Sequence, residues 1–396
     1  MRALEKTPFR LLLGLWAVNW VVPCVFGGVG LTNLFSFNQA NGSQPAAGLL
    51  QMPDGAFYGT TEEGGSNNIG TAFKITSIGA FTSLLSFTGA GGTYPGANLA
   101  ANLVWGATGN LYGTTSAGGT NDCGTVFQMT TNGGLTSLVS FTGTNGAALG
   151  VYPNGLVRGG DGNFYGTTQM GGTNDISSDG DGTIFRVTPA GALTTLFCFN
   201  YTNDANPYGG LVQGTNGNFY GTTQAGGSNG LGTVFEVTTN GVLTSLISFN
   251  STNGADPQAG LVQGADGNFY STTYFGGNTN AGTVFKISPS GTFTTLISFN
   301  NRNGANPYAS LVQGVDGNFY GTTELGGTNN NGTAFEISPA GALTTPVSFS
   351  GTTNNSYPVA GLVPGTDGYL YGTTAFGGAN YQGTVFRFAP PPNILS

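Results

Sequence analysis

One block of about fifty residues is written seven times in this chain, and the series starts and stops out of phase. Tyr58, Tyr112, Tyr165, Tyr220, Tyr270, Tyr320 and Tyr371 are separated by 54, 53, 55, 50, 50 and 51 residues. Self-similarity at that period is the mark of a propeller blade or an array. Each block holds four short segments rich in β-branched and aromatic residues and bounded by turn residues. In the fourth block these are GLVQG (210–214), NFYGTT (218–223), GTVFEVT (232–238) and LTSLISF (243–249). Such segments read as strands, and no helical period survives beyond residue 30.

The two ends of the series decide between an open array and a closed ring. A lone fourth-type segment, Leu31 to Phe37, precedes the first complete block, and the last block stops after its third segment, Gly383 to Phe388. Each segment type therefore occurs seven times, and the first segment can complete the last sheet. That exchange hides the strand edges that an open sheet leaves unpaired. The expected fold is all-β: a seven-bladed β-propeller of four-stranded blades over 31–388, closed by the strand at 31–37, with a Pro-rich tail at 389–396.

Turn chemistry agrees with up-and-down blades. Asp54-Gly55, Asp161-Gly162, Asn216-Gly217, Asp266-Gly267, Asp316-Gly317 and Asp367-Gly368 stand between first and second segments, where a tight hairpin calls for positive φ. The Gly pairs after YGTT, such as Gly226-Gly227, read as tight turns rather than phosphate cradles, because no helix start or lysine accompanies them. The Thr pairs of YGTT read as strand hydroxyls satisfied within or between blades, with a ring of repeated ligand contacts as the rival reading. The tyrosine-to-GT connection is twelve residues in six blocks and seventeen in the third, whereas the block-to-block connection varies. Functional variation is expected on the face that these two loop types share.

Composition bounds the function. The chain has 71 glycines and 18 prolines, but its 12% aromatic residues supply the apolar surface a disordered chain lacks. Net charge is −8, and Arg2, Lys6 and Arg10 all precede the first repeat, so nucleic acid and anionic membrane surfaces are disfavoured partners. Those three basic residues, the apolar run Leu11 to Val22 and the small residues Gly27, Gly28 and Gly30 read as an export signal over 1–30, with an uncleaved anchor or lipidation at Cys24 as alternatives. A secreted or cell-surface protein is expected, with no membrane span in the mature chain and a monomeric state. Cys123 and Cys198 fall at unrelated points of the repeat and suggest no disulfide.

The recurring LVQGxDGNFYGTTxxGGxxxxGTVFxIxPxGxLTTLxSF, from Leu31 to about Phe388, resembles the Gloeobacter/Verrucomicrobia tandem repeat of exported bacterial proteins. A looser similarity, in GL…DGNxYxTT, is to propeller repeats of sensor-kinase input domains. The resemblance implies a propeller-like exported protein often found beside surface-sorting signals, and it implies no catalytic residue or ligand. The C-terminal APPPNILS carries no visible sorting motif.

Two places depart from the repeat. The residue after YGTT is variable: Glu62 (followed by Glu63), Ser116, Gln169, Gln224, Tyr274, Glu324 and Ala375. Glu62, Glu63, Gln169, Gln224, Tyr274 and Glu324 are the candidate ligand-binding residues. The five-residue insertion of the third block gathers Asp175, Asp179 and Asp181 beside Asn174, oxygen ligands in a Gly-containing loop that suit Ca²⁺, against the plainer reading of a solvated acidic loop. The chain has no histidine, which removes the commonest general base and any Ser/His/Asp arrangement. The expectation is a non-catalytic binding or surface-interaction module for a polysaccharide or cell-surface protein. A glycan-active hydrolase or lyase using Glu62, Glu63 or the Asp175 loop, and a structural surface protein without a ligand, are the alternatives.

Overall fold

The computed structural model describes residues 30–390 except 100, 174–179, 202–203 and 352–354, and these residues form seven blades of four antiparallel strands with no helix. Residues 1–29 of the expected export signal over 1–30, residues 391–396 of the expected Pro-rich tail, and Asp175 and Asp179 lie outside the described residues.

The ring closes as the phase offset requires. Thr32–Ser36 pairs antiparallel with Thr384–Phe388, matching Thr32 to Arg387 and Ser36 to Thr384, with the register shift that recurs between third and fourth strands of every blade. A bulge repeated at one position bends every outer strand alike.

Blades meet through aromatic rings. The anchor tyrosine of one blade lies on the phenylalanine before the tyrosine of the next: Tyr165 on Phe219 at 4.0 Å, Tyr220 on Phe269 at 4.1 Å, Tyr270 on Phe319 at 3.9 Å. The closing seam repeats this with Tyr371 on Phe57 at 4.1 Å. A second contact runs edge to face from the SF phenylalanine to the GTxF phenylalanine of the next blade, as in Phe249–Phe285 at 5.3 Å and, across the seam, Phe37–Phe73 at 5.2 Å. Such pairs add roughly 0.5–1.5 kcal/mol each beyond the area they bury.

The threonines of YGTT are structural. The second of each pair shares a hydrogen bond of 2.8–2.9 Å with the GT threonine of its own blade in all seven blades. The first reaches the next blade in four: Thr114 donates to Asn154 O, Thr222 to Ala259 O, Thr322 to Ala360 O and, over the seam, Thr373 to Ala47 O at 3.2 Å. Buried hydroxyls are thereby used to join blades.

Two local details differ from expectation. The first strand has only two residues, Val212–Gln213 in the fourth blade, rather than the five of GLVQG. The chain ahead of it faces the neighbouring blade, so that a Cβ on Gly209 would stand 2.7 Å from the Ala259 backbone. The Asp-Gly turns place only glycine at positive φ, +78° at Gly55 and +84° at Gly162. The aspartate is needed for its carboxylate, which accepts the tyrosine hydroxyl at 2.9 Å in Asp161–Tyr165 and 2.6 Å in Asp367–Tyr371.

The glycine of YGTT is fixed by packing: at Gly321 a Cβ would meet Leu311 Cδ2 and Phe335 Cζ at 2.6 Å. Gly321→Ala therefore overpacks the sheet and is expected to cost about 1–3 kcal/mol, read as a lower urea midpoint with an unchanged slope. An unaltered midpoint would show that the packing there is loose.

Candidate functional site

The residues just ahead of each first strand converge from all seven blades on a central cavity of about 260 Å³. Blades four, five and six give it its polar wall: Tyr208, Gln258 and Tyr308 occupy equivalent positions, three residues before the leucine of the inner segment. Tyr208 and Tyr308 meet hydroxyl to hydroxyl at 2.5 Å across the intervening blade, with rings at 84°. Beside Tyr208, Asn154 is buried: its amide donates to Thr167 Oγ1 at 3.0 Å and Pro207 O at 2.6 Å, and its carbonyl accepts from Gln169 Nε2 at 3.1 Å.

The position after YGTT lies beside this opening. A common backbone bond places it: Glu62, Ser116, Gln224, Tyr274 and Glu324 each donate N–H to the residue five before the inner leucine, Gln44, Asn98, Asn206, Asp256 and Asn306. Those acceptors all have φ between +52° and +56°, and their own N–H groups bond the preceding blade, as in Asp256 N to Leu231 O at 3.0 Å.

Gln169 lines the central cavity together with Ser116. Tyr274 donates its hydroxyl to Glu324 Oε2 at 2.8 Å, and its ring stands 6.3 Å from that of Tyr308. Burial, the Tyr208 hydroxyl and the charges of Glu62 and Glu324 together push the Tyr308 phenol well above its ordinary value, so both carboxylates act on one hydroxyl at the rim. Burial first, then the Glu63 charge, raises the Glu62 carboxyl. Glu63 contributes chiefly through that charge, while its backbone pairs with Ser43. Gln224 sits apart, in a groove of about 480 Å³ between blades four and five that Asp256 also lines. Asp256, its carboxyl raised mainly by burial, accepts a hydrogen bond from Gln258 at 3.3 Å, linking groove to central cavity. Five of the six sequence-derived candidates thus surround one opening or the groove joined to it.

Tyr208, Tyr308, Gln258 and Asn154 are absent from those candidates. The signal for the first three is the variability of one connector position, Ala46, Pro153, Tyr208, Gln258, Tyr308 and Val359; Asn154 stands one residue further on, where other blades have Ala or Gly. Of the Asp triad, Asp181 is described: it is buried, its Oδ2 accepts Tyr201 N–H at 2.8 Å, and its carbonyl accepts Asn206 N–H. Among the described residues no group of three or more His, Cys, Asp or Glu side chains is placed to hold a metal ion.

The two faces differ in charge and in aromatic exposure. On the loop face lie Glu62, Glu63, Asp122, Asp181, Asp204, Asp256 and Glu324, with Arg302 the one basic residue there among those described. The hairpin face holds the other five basic residues, two of them in ion pairs: Lys74 with Asp54 at 2.8 Å and Arg387 with Asp367 at 3.7 Å. Among the described residues, five of the six exposed aromatic side chains, Tyr152, Tyr201, Phe275, Phe376 and Tyr381, are on the loop face, and Trp105 is on the other.

Fold and opening together define a closed seven-bladed propeller with a polar, aromatic and acidic mouth on its loop face. The chain belongs to the Gloeobacter/Verrucomicrobia repeat family, whose model matches residues 25–178, 102–314 and 152–386. No curated protein matches it in sequence. Among solved structures it is similar to the extracellular domain of a candidate one-component system from B. thetaiotaomicron, with TM-score 0.57 and 12% identity over 92% of this chain and 42% of that one. It is also similar to a candidate gluconolactonase, with TM-score 0.51 and 12% identity over 91% and 93% of the two chains. A candidate 6-phosphogluconolactonase from Bacteroides fragilis gives TM-score 0.51 and 17% identity over 80% and 86%. At these identities the likeness is one of fold, and function has to be argued from the site. No helix among the described residues is long and apolar enough to cross a membrane.

The raised Glu62 carboxyl makes a signed prediction. A native state that holds a proton more tightly than the unfolded chain, whose carboxyl titrates near 4.5, loses stability as pH rises from that value through the higher native one. Glu62→Gln should melt with the wild type at pH 4 and above it at pH 7; equal melting temperatures at both would show Glu62 to be solvated.

Proposed function

We propose that this chain is an exported, non-catalytic binding module whose loop face takes up a glycan at the mouth of the central cavity. The observation that carries the reading is the gathering of exposed aromatic rings and hydrogen-bonding side chains on that one face. Sugars present apolar ring faces edged by hydroxyls, and aromatic planes set among amide, phenol and carboxylate groups match both features. Tyr208 and Tyr308 offer the planes nearest the cavity, and Gln169, Gln258 and Glu324 offer donors and acceptors. An export signal over 1–30, as the sequence suggests, would fit this reading, since extracellular glycans require export.

The second reading, a glycan-active enzyme, draws on the same rim: Glu62 with its raised carboxyl beside Tyr308 could serve as a general acid. The candidate lactonases among the fold relatives give that reading its class of sugar-derived substrate. The binding reading is preferred because the position after YGTT changes chemistry from blade to blade, as a specificity surface does.

Screening the mature chain on a glycan array with and without Ca²⁺, followed by calorimetry, tests the proposal. Saturable binding without product release is expected, weakened about tenfold or more by Tyr308→Ala, a loss of about 1.4 kcal/mol or more. Release of a shortened or delactonised product would instead establish the enzyme. A requirement for Ca²⁺ would assign the Asp175, Asp179 and Asp181 loop a part in binding.

A further inference from the structure

The charge pattern narrows the class of glycan. This inference rests on the glycan-binding reading and adds the ligand's charge to it. We propose that the mouth selects a sugar bearing a protonated amine, an amino sugar with a free ammonium group, over its N-acetylated or acidic counterparts.

Three observations converge. At the rim, Glu62 and Glu324 both act on the Tyr308 hydroxyl, and Tyr274 donates to Glu324 at 2.8 Å, so carboxylate oxygens and phenol rings border the same opening. An ammonium group offers three donors and a positive charge. Carboxylates meet it with charge-assisted hydrogen bonds, and aromatic faces attract it through their negative π surface. A carboxylated or sulfated sugar would find no counter-charge there, because five of the six basic residues after residue 30, Lys74, Arg158, Arg186, Lys286 and Arg387, belong to the opposite face. The remaining one, Arg302, lies in an outer connector and does not line the cavity. Finally, burial and the Glu63 charge hold the Glu62 carboxyl above its ordinary value. The adjacent Glu62 and Glu63 carboxylates repel one another, and a cation beside them relieves that repulsion.

Selectivity comes from the uncompensated charge of the rim as much as from attraction. An N-acetyl group replaces three charged donors by one amide N–H and places a carbonyl oxygen against the carboxylates. The expected ligand is therefore a glucosamine-type unit within a glycan, its ring over Tyr308 or Tyr208 and its ammonium toward Glu324 and Glu62.

The test is titration of the mature chain, at about pH 5.5 and low salt, where glucosamine amines hold their proton and ordinary carboxylates are ionised, with β-1,4-linked glucosamine oligomers. Their N-acetylated counterparts of equal length and oligolysine serve as the comparison probes. Binding of the amine form at least about tenfold tighter than the acetylated form is expected. It should weaken at higher ionic strength and be lost in Glu324→Gln and Glu62→Gln variants that keep the wild-type circular dichroism and melt cooperatively. Equal affinity for both sugar forms would overturn charge selection and leave the glycan reading standing. Binding of oligolysine without either sugar would overturn the amino-sugar assignment in favour of a basic peptide. Silence toward all three, with the variants folded, would overturn this inference, and only silence across the wider array would remove the glycan reading with it.

Discussion

Everything in this molecule depends on the contact between one blade and the next. A single four-stranded sheet of such short strands cannot bury its own faces, so each blade is stable only against neighbours. The tyrosine-on-phenylalanine stack near the inner strands and the edge-to-face phenylalanine pair farther out are repeated with ring separations that hardly vary, 3.9–4.2 Å and 5.2–5.5 Å. Where the second blade has Leu111 and the seventh Leu370 in place of phenylalanine, the leucine fills the same buried position. Threonine hydroxyls then cross the same boundary, and inner-strand glutamines do so too, as in Gln263 accepting from Thr215 N at 2.9 Å. The seam shares these contacts, with Gln51 accepting from Thr366 N at 3.0 Å.

That economy explains why the repeat looks so uniform and why function has little room within it. YGTT is largely occupied: the tyrosine by its stack and, in four blades, an Asp partner, the glycine by a phenylalanine edge, the second threonine by the sheet in every blade, and the first by the neighbouring blade in four. Its one relaxation is Ser271, the serine standing where the other blades have glycine, whose hydroxyl donates to Gly260 O at 3.0 Å. Chemistry is free to vary only where these constraints end, which is one residue after YGTT and in the connector ahead of each inner strand. Both sets of positions open toward the same cavity, because strand direction brings the end of the second strand and the approach to the first to one face.

Much of this was legible in the sequence because the repeat states it seven times. The phase offset of Leu31 to Phe37 against Gly383 to Phe388 foretold the closing strand, and the variable residue after YGTT pointed to the rim. The tyrosine pair was not legible. Tyr208 and Tyr308 are 100 residues apart, and nothing local says that the blades carrying them face one another over a third. The role of the Asp-Gly aspartates was missed for a related reason: a turn dipeptide reads as backbone conformation, whereas the carboxylate's partner is a hydroxyl four residues on. There burial opposes ionisation, but hydrogen bonds from Asn163 and Tyr165 outweigh it and hold the Asp161 carboxyl below its ordinary value. The matching effect on a tyrosine is plain at Tyr220, which burial and the bond to Glu236 push up to about 12.

If the closing seam is an interface like any other, equivalent phenylalanines on and off it must matter equally. Phe37→Ala, at the seam, and Phe249→Ala, within the continuous chain, remove the same buried ring from the same edge-to-face pair. Chemical denaturation of the two variants is the direct measurement. A ring closed by its first strand predicts that each loses about 3–5 kcal/mol and that the two losses agree within the scatter of equivalent sites. A Phe37→Ala variant as stable as the wild type, beside a destabilised Phe249→Ala, would show that the first strand does not hold the propeller shut.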